Sequence, residues 1–304
     1  MSSPYLDAVT DWYAAHARDL PWRDPDASPW SVMVSEIMLQ QTPVARVLPA
    51  HAAWLRRWPD PAALAAASVA DAVRQWDRLG YPRRAVRLHA CAGLITSQHA
   101  GQVPADIDAL LSLPGVGAYT AAAIASFAFG RRHAVLDTNV RRVLARLIAG
   151  TGLPGPAVSV AEVRLAESLL PADGREAARW SVGVMELGAL VCTAARPQCH
   201  ACPLAAQCAW LRDGQPVPAM VRGQARYEGS DRQCRGRLLG MLRTAGGPVP
   251  ASALDGAWND SAQRARSLAA LITDGLVTRC PDGSYALPGE EHQVANRRGH
   301  QVPG

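Results

Sequence analysis

The 304-residue chain contains no lysine; all 31 of its Lys/Arg side chains are arginine. The absence reads first as a compositional bias, yet it has a chemical consequence. No side-chain amine is available to form a Schiff base. Phenylalanine is nearly absent, at 2 residues, whereas tryptophan is plentiful at 9. No apolar run reaches the length of a membrane span. The N-terminal stretch MSSPYLDAVTDWYAAHARD lacks a signal-peptide layout and reads as an amphipathic helix, so a cytoplasmic, nucleoid-associated protein with no membrane contact is the expectation. The net charge of +5 and pI of about 9.0 are a mild lean toward polyanionic partners. The length suffices for one large or two modest domains with a real core.

Up to Cys208 the apolar spacing is nearly all helical. It predicts helices over 5–18, 29–41, 44–57, 69–79, 83–99, 107–112, 119–129, 138–148, 158–170 and 176–190, punctuated by proline and glycine. QPVPAMVRG (215–223) reads as a linker. Beyond it come helices over 232–242 and 262–274, a short one at 250–254, and two short strands around Pro281-Asp282-Gly283. That order is one of a small winged helix-turn-helix. The expected domains are a helical core over 1–212, a linker over 213–229, a winged-helix-like domain over 230–288 and a disordered tail over 289–304. The winged segment has three open roles: touching DNA through Arg264 and Arg266, binding a partner protein, or covering apolar surface of the core.

Four segments carry chemistry. SEIMLQQTP (35–43) sets one carboxylate, Glu36, in an otherwise apolar helix and follows it with Gln40 and Gln41. LPGVG (113–117), with Gly115, Val116 and Gly117, forms a tight turn before a small-residue helix, a layout that offers backbone N–H groups to a phosphate. An ordinary αα-turn remains the alternative. In RRHAVLDTNVRRVLAR (131–146), Asp137 is either a helix N-cap followed by solvated arginines or a carboxylate facing a cleft, with arginines tracking phosphates. Cys192, Cys199, Cys202 and Cys208, spaced x6, x2 and x5, make a metal site in a reducing compartment, either a [4Fe–4S] cluster or one zinc ion. The remaining Cys91, Cys234 and Cys280 read as small buried hydrophobes.

LPWR, SEIMLQQT, LGY, LPGVGAYTA, LDTNVRRVLAR, MELGALVC and the four-cysteine loop occur in that order. Together, over roughly residues 1–212, they resemble the helix-hairpin-helix DNA glycosylases, specifically the MutY branch of adenine glycosylases. The resemblance implies a mainly α, two-lobed helical core with an iron–sulfur loop and double-stranded DNA as partner. It implies hydrolysis of the N-glycosidic bond of an adenine, flipped out of a mispair with 8-oxoguanine or guanine; a monomer is the separate expectation. Glu36 then corresponds to the general acid that protonates adenine N7 and assists a water. Asp137 corresponds to the aspartate that stabilises the oxocarbenium-like sugar, and Tyr119 and Asn139 to residues orienting acid, water or sugar. Arg18, Leu20, Trp22, Arg23 and Glu186 resemble the adenine-pocket wall, and Gln41 and Tyr81 the wedge residues that enter the base stack.

The chain departs from that pattern at Thr138, where glycine is usual, and at Pro82, which replaces a second aromatic after Tyr81. The segment after the core reads as a winged helix rather than the Nudix-like domain of many MutY proteins. Endonuclease III of the same fold carries a lysine where this chain has Tyr119, so Schiff-base lyase chemistry is not expected. A thymine/uracil mismatch glycosylase is the nearest alternative, although its helix end typically carries a basic pair in place of Gln40-Gln41. A non-catalytic, damage-binding iron–sulfur protein is the other, and it would need neither Glu36 nor Asp137.

Overall fold

The computed structural model describes residues 5–216 and 227–291. Residues 217–226 of the expected linker and 292–304 of the expected tail lie outside the described residues. In chain order the helices are α1 (Leu6–His16), α2 (Pro29–Leu39), α3 (Val44–Arg57), α4 (Pro61–Ala65), α5 (Val69–Trp76), α6 (Arg83–Gln98), α7 (Ile107–Leu111) and α8 (Ala118–Phe129). They continue with α9 (Thr138–Leu147), α10 (Val160–Leu169), α11 (Gly174–Leu190), α12 (Ala209–Arg212), α13 (Asp231–Ala245), α14 (Ala251–Asp255) and α15 (Ser261–Thr273). A two-stranded antiparallel hairpin follows, β1 (Thr278–Arg279) paired with β2 (Tyr285–Ala286). The sequence reading did not anticipate α4, α12 or the 3-10 turns at Pro21–Arg23, Cys199–Ala201 and Ala205–Gln207. Each is shorter than the window that periodicity needs.

The chain divides into two compact units, one built from Met1–Glu36 and Pro104–Arg222, the other from Ile37–Val103 and Gly223–Gly304, so far as their residues are described. In the first, α11 packs against α1 and α9. The seam follows helical spacing: Val140, Val143, Leu144 and Leu147 on α9 meet Trp180, Val184 and Leu187 on α11 and Leu6 and Val9 on α1. Caps fix where the helices begin. Ser159 and Glu162 form a capping box at α10, and the Asp173 carboxylate accepts from Glu176 N–H at 2.9 Å at α11. α8 is alanine-rich and buried on nearly every side, with Ala121, Ala123 and Ala125 sealed from solvent.

In the second unit α6 lies against α4 and α5. Trp54 meets Trp58 and Trp76 edge-on, with ring centroids 4.6 and 5.6 Å apart. The segment from α13 to β2 has the order read from the sequence. Its strands are shorter than expected, and Val249 bridges to Tyr285 as a third extended stretch. Gly283 supplies the left-handed turn residue, at φ 82°, and Asp282 accepts the Ser284 N–H at 2.9 Å. Arg264, which one of the three open roles set on a DNA-reading face, is largely buried. It pairs with Asp255 at 2.7 Å and donates to the Trp258 carbonyl. Arg266 faces Asp231 at 3.3 Å. No helix among the described residues is long and apolar enough to cross a membrane.

Candidate active site

Glu36 lies in α2 and is 4 % exposed. Its Oε2 accepts the Tyr119 hydroxyl at 3.0 Å. Burial raises its pKa, the Tyr119 hydrogen bond opposes the rise, nearby Asp137 adds to it and Arg23 lowers it; the result is about 7. Tyr119, in the first turn of α8, has its own pKa pushed well above 10 by burial and by the two carboxylates. It is therefore a fixed donor. Two carboxylates within electrostatic reach, one about half protonated near neutrality, are the arrangement that separates acid from charge stabiliser.

Asp137 caps α9, and the same carboxylate lies within electrostatic reach of Glu36. Oδ1 accepts the Val140 N–H at 2.6 Å and caps α9, while Oδ2 accepts from Asn139 Nδ2 at 2.7 Å. Burial raises its pKa, and these hydrogen bonds hold the rise down. Asn139 is itself held, because its Oδ1 accepts from Arg142 Nη2 at 2.8 Å. Arg142 continues to the Gly188 carbonyl at 2.6 Å and the Cys192 carbonyl at 2.7 Å. A line of hydrogen bonds thus runs from the carboxylate to the first residue of the cysteine loop.

The sequence left the arginines of this segment as either solvated or tracking phosphates; on α9 they are buried instead. Arg141, Arg142 and Arg146 are 9, 7 and 3 % exposed. They spend their donors on Glu162 and on carbonyls that helix ends and loops leave over. The available signal was their position on a helix otherwise patterned for burial. Gly188 was also missed. A Cβ there would stand 2.7 Å from Asn139 Cβ and 2.9 Å from its carbonyl oxygen. Gly188→Ala is expected to cost about 2 kcal/mol of stability and to slow catalysis by moving Asn139, checked by urea unfolding beside a turnover assay.

The proposed pocket residues gather around Glu186, which is fully buried on α11. Arg18 Nε and Nη2 grip its two oxygens at 2.7 Å each, the Arg18 N–H adds a bond of 3.0 Å, and Arg23 Nη2 adds one of 2.8 Å. Burial alone would raise the Glu186 pKa, but the two arginines outweigh it and hold it at about 2. Arg23 Nη1 is buried without a hydrogen-bond partner among the described residues, and the guanidinium lies 5.8 Å from the centroid of the Tyr13 ring. Leu20 and Trp22 are buried beside these residues in the chain, at 5 and 7 % exposure.

The α7–α8 hairpin keeps Gly115 and Gly117 exposed while Val116 is buried. Gly115 takes φ 80°, a conformation that favours glycine. No side chain caps α8, and a Cβ on Gly117 would meet nothing within 4 Å, so the helix start is open to an incoming group.

Cys192, Cys199, Cys202 and Cys208 line one small cavity whose walls include Trp210 and Leu211. Their sulfurs are offered donors: Arg146 Nη1 stands 3.3 Å from Cys192 Sγ, and Gln215 Nε2 stands 3.5 Å from Cys199 Sγ. Such bonds suit thiolate ligands. No three His, Cys, Asp or Glu side chains among the described residues are gathered closely enough for a single metal ion. Four thiols around one cavity suit a sulfur-ligated group, a [4Fe–4S] cluster or zinc. His200, within the loop, is exposed.

Gln41 and Tyr81 belong to the other unit, and both are exposed with positive φ, 56° and 46°. Arg84 of α6, unnoticed in the sequence, holds both segments. It is buried and donates to the Ile37, Met38 and Gln40 carbonyls at 2.7–2.8 Å, to Thr42 Oγ1 at 2.9 Å and to the Gly80 carbonyl at 2.9 Å. α2 ends at Leu39, two residues before the expected end. Gln41 has left the helical region, and Arg84 serves the carbonyls released there.

Residues 34–164 match the model of the HhH-GPD superfamily base excision DNA repair protein. The chain is 54 % identical to an adenine DNA glycosylase of Mycobacterium tuberculosis, with 92 % of each chain covered. Its fold is similar to a thermostable thymine-DNA glycosylase, with a TM-score of 0.62 and 26 % identity over 69 % of this chain and 95 % of the other. It is also similar to endonuclease III in a trapped covalent DNA intermediate, with a TM-score of 0.58 and 25 % identity over 68 and 94 %. The paired Glu36 and Asp137, the glycine hairpin and the cysteine loop therefore sit in a chain that belongs to the adenine DNA glycosylases of the HhH-GPD superfamily.

Proposed function

We propose that this protein is a monofunctional adenine DNA glycosylase of base excision repair, acting on adenine opposite 8-oxoguanine or guanine in double-stranded DNA. The observation that carries the reading is the buried Glu36, with a pKa of about 7, bonded to Tyr119 and within reach of Asp137. A carboxylic acid half-protonated near neutrality can deliver a proton to adenine N7, turning the base into a neutral leaving group. The C1′–N9 bond then breaks with its electron pair going to the base. The Asp137 carboxylate faces the cationic sugar, and the ionised Glu36 takes a proton from the incoming water. The Glu186 wall, with Arg18 and Arg23 bonded to it, supports recognition of a flipped base edge. The α7–α8 hairpin supports a grip on DNA phosphates.

The four cysteines fit a [4Fe–4S] cluster, which would tie the loop into one rigid piece and leave no open coordination position for substrate. A brown protein with visible charge-transfer absorption is expected, lost with the fold of the loop when Cys202 is replaced by serine. Because no lysine exists, nothing in a side chain can trap the sugar as an imine. The acting form is a monomer in the nucleoid-bearing cytoplasm. Residues 1–212 are read as the catalytic core and 230–288 as an appended winged-helix-like segment.

The test is excision on duplexes carrying A opposite 8-oxoguanine, A opposite G, T opposite G and U opposite G, each with and without borohydride. Adenine release from the first two, with no borohydride-trapped complex, is expected. Release of thymine or uracil instead would replace this reading with the mismatch alternative, and efficient trapping would overturn the monofunctional mechanism.

A further inference from the structure

The loop between α5 and α6 carries Tyr81, 47 % exposed. Its backbone is unusual. Asp77, Gly80 and Tyr81 take φ of 41°, 90° and 46°. For Asp and Tyr this region is costly, and such a backbone persists only where its surroundings hold it. Some of that hold is local: Trp76 Nε1 donates to the Gly80 carbonyl at 2.9 Å, and Arg84 reaches the same oxygen.

The C-terminal segment contacts the residues on both flanks of this loop. Arg74, in the last turn of α5, donates through Nε to the Arg243 carbonyl at 3.1 Å and through Nη2 to Glu290 at 2.6 Å. Glu290 is 4 % exposed, so the first residues past 288 belong to the folded segment and not to a free tail. Arg83, the first residue of α6, pairs with Asp274 at 3.2 Å, and Asp274 is held in turn by Arg235 of α13. Arg243 lies within electrostatic reach of Asp77 inside the loop. Behind these, Gly275 sits against Val86 of α6, where a Cβ would stand 3.9 Å from Cγ1.

The attachment points at 74 and 83 bracket the loop at its start and its end, and the charge of Arg243 reaches Asp77 inside it. A segment that only covered apolar surface would have no reason to place charged contacts on both flanks of one six-residue turn. We infer that the C-terminal segment is a brace for the Tyr81 loop, with Arg74–Glu290 and Arg83–Asp274 as positioning pairs that hold Tyr81 ready to enter an opened base stack. This rests on the reading of Tyr81 as a wedge residue. The segment contributes to the opening of the helix and not to bond cleavage. Its arginines at 264 and 266 are engaged with its own acids, so it acts through the loop it holds.

The test uses the full-length, cluster-loaded protein with Glu290→Gln, Asp274→Asn and the double substitution. Single-turnover adenine release is measured on an A:G duplex and on the same duplex with the adenine opposite a one-nucleotide gap, where no stack needs opening. The double variant is expected to slow about tenfold or more on the paired duplex and to match the unsubstituted protein on the gapped one. Equal slowing on both, or none on either, overturns the brace. Hydrogen exchange reads the same proposal without catalysis: amides of 77–82 should exchange faster in the double variant while those of α3 do not change, and unchanged exchange at 77–82 defeats it. If the unsubstituted protein releases adenine from neither duplex, the glycosylase reading fails, and the exchange measurement alone decides the brace. Should the double variant not fold, Asp274→Asn alone is read in the same two ways.

Discussion

Glu36→Gln is expected to lower single-turnover adenine release by about 10³-fold while making the folded protein more stable at mildly alkaline pH. The two effects share one cause. Burial lifts the Glu36 pKa from 4.5 to about 7, which supplies a proton for catalysis and makes the ionised form costly in the folded state. Because the folded-state value lies above the unfolded one, the folded chain holds this proton more tightly. The matching stability is complete below about pH 4.5 and is lost as pH rises through about 7. Glutamine carries no such penalty, and its carbonyl still accepts the Tyr119 hydroxyl. At about pH 8 the variant should gain up to about 3 kcal/mol over the parent, at 1.36 kcal/mol per pKa unit. Near pH 4.5 the two should unfold alike. For the parent, kcat/KM should fall tenfold per pH unit above about 7 as the acid is lost. Urea unfolding at both pH values and a pH–rate profile test these together. A variant that still excises, or that is equally stable at both pH values, would remove Glu36 from the acid role.

Asp137→Asn separates two tasks that one side chain performs. Asparagine caps helices about as well as aspartate, and it can still accept the Val140 N–H that Asp137 accepts at 2.6 Å. The Asn variant should keep the α9 cap, lose the bond from Asn139 because its own Nδ2 then faces that donor, and lose adenine release by about 10²–10³-fold with the negative charge. Asp137→Ala should lose release to the same extent and about 1 kcal/mol of stability besides. Excision at the parent's rate by the Asn variant would sink the electrostatic role and leave Asp137 a helix cap.

The mainly helical fold, the hairpin and the cysteine loop were legible because each rests on local pattern. Apolar spacing marked the helices, and proline or glycine marked their ends. α9 is the instructive case. Its start was read correctly from Asp137, yet its arginines were read as solvated or as tracking phosphates. Arginine on a helix looks the same whether it faces solvent or a neighbour's carbonyls, and only the approach of α11, permitted by Gly188, decides which.

By itself the sequence determined which residues could do chemistry: one acid in an apolar helix, a capping aspartate, a tyrosine where a lysine would make a lyase, and four thiols at fixed spacing. The tertiary structure decided how those groups behave. Burial, not sequence, sets Glu36 near neutrality. Arg18 and Arg23, far from Glu186 in the chain, hold it ionised in the interior. Arg142 joins Asn139 to the cysteine loop across 50 residues of chain. The C-terminal segment reaches α5 and α6 across more than two hundred. Pairings between distant residues leave no periodic trace. Each is a matter of which surfaces the packed helices bring within a few ångströms, and that is settled only when the chain has folded.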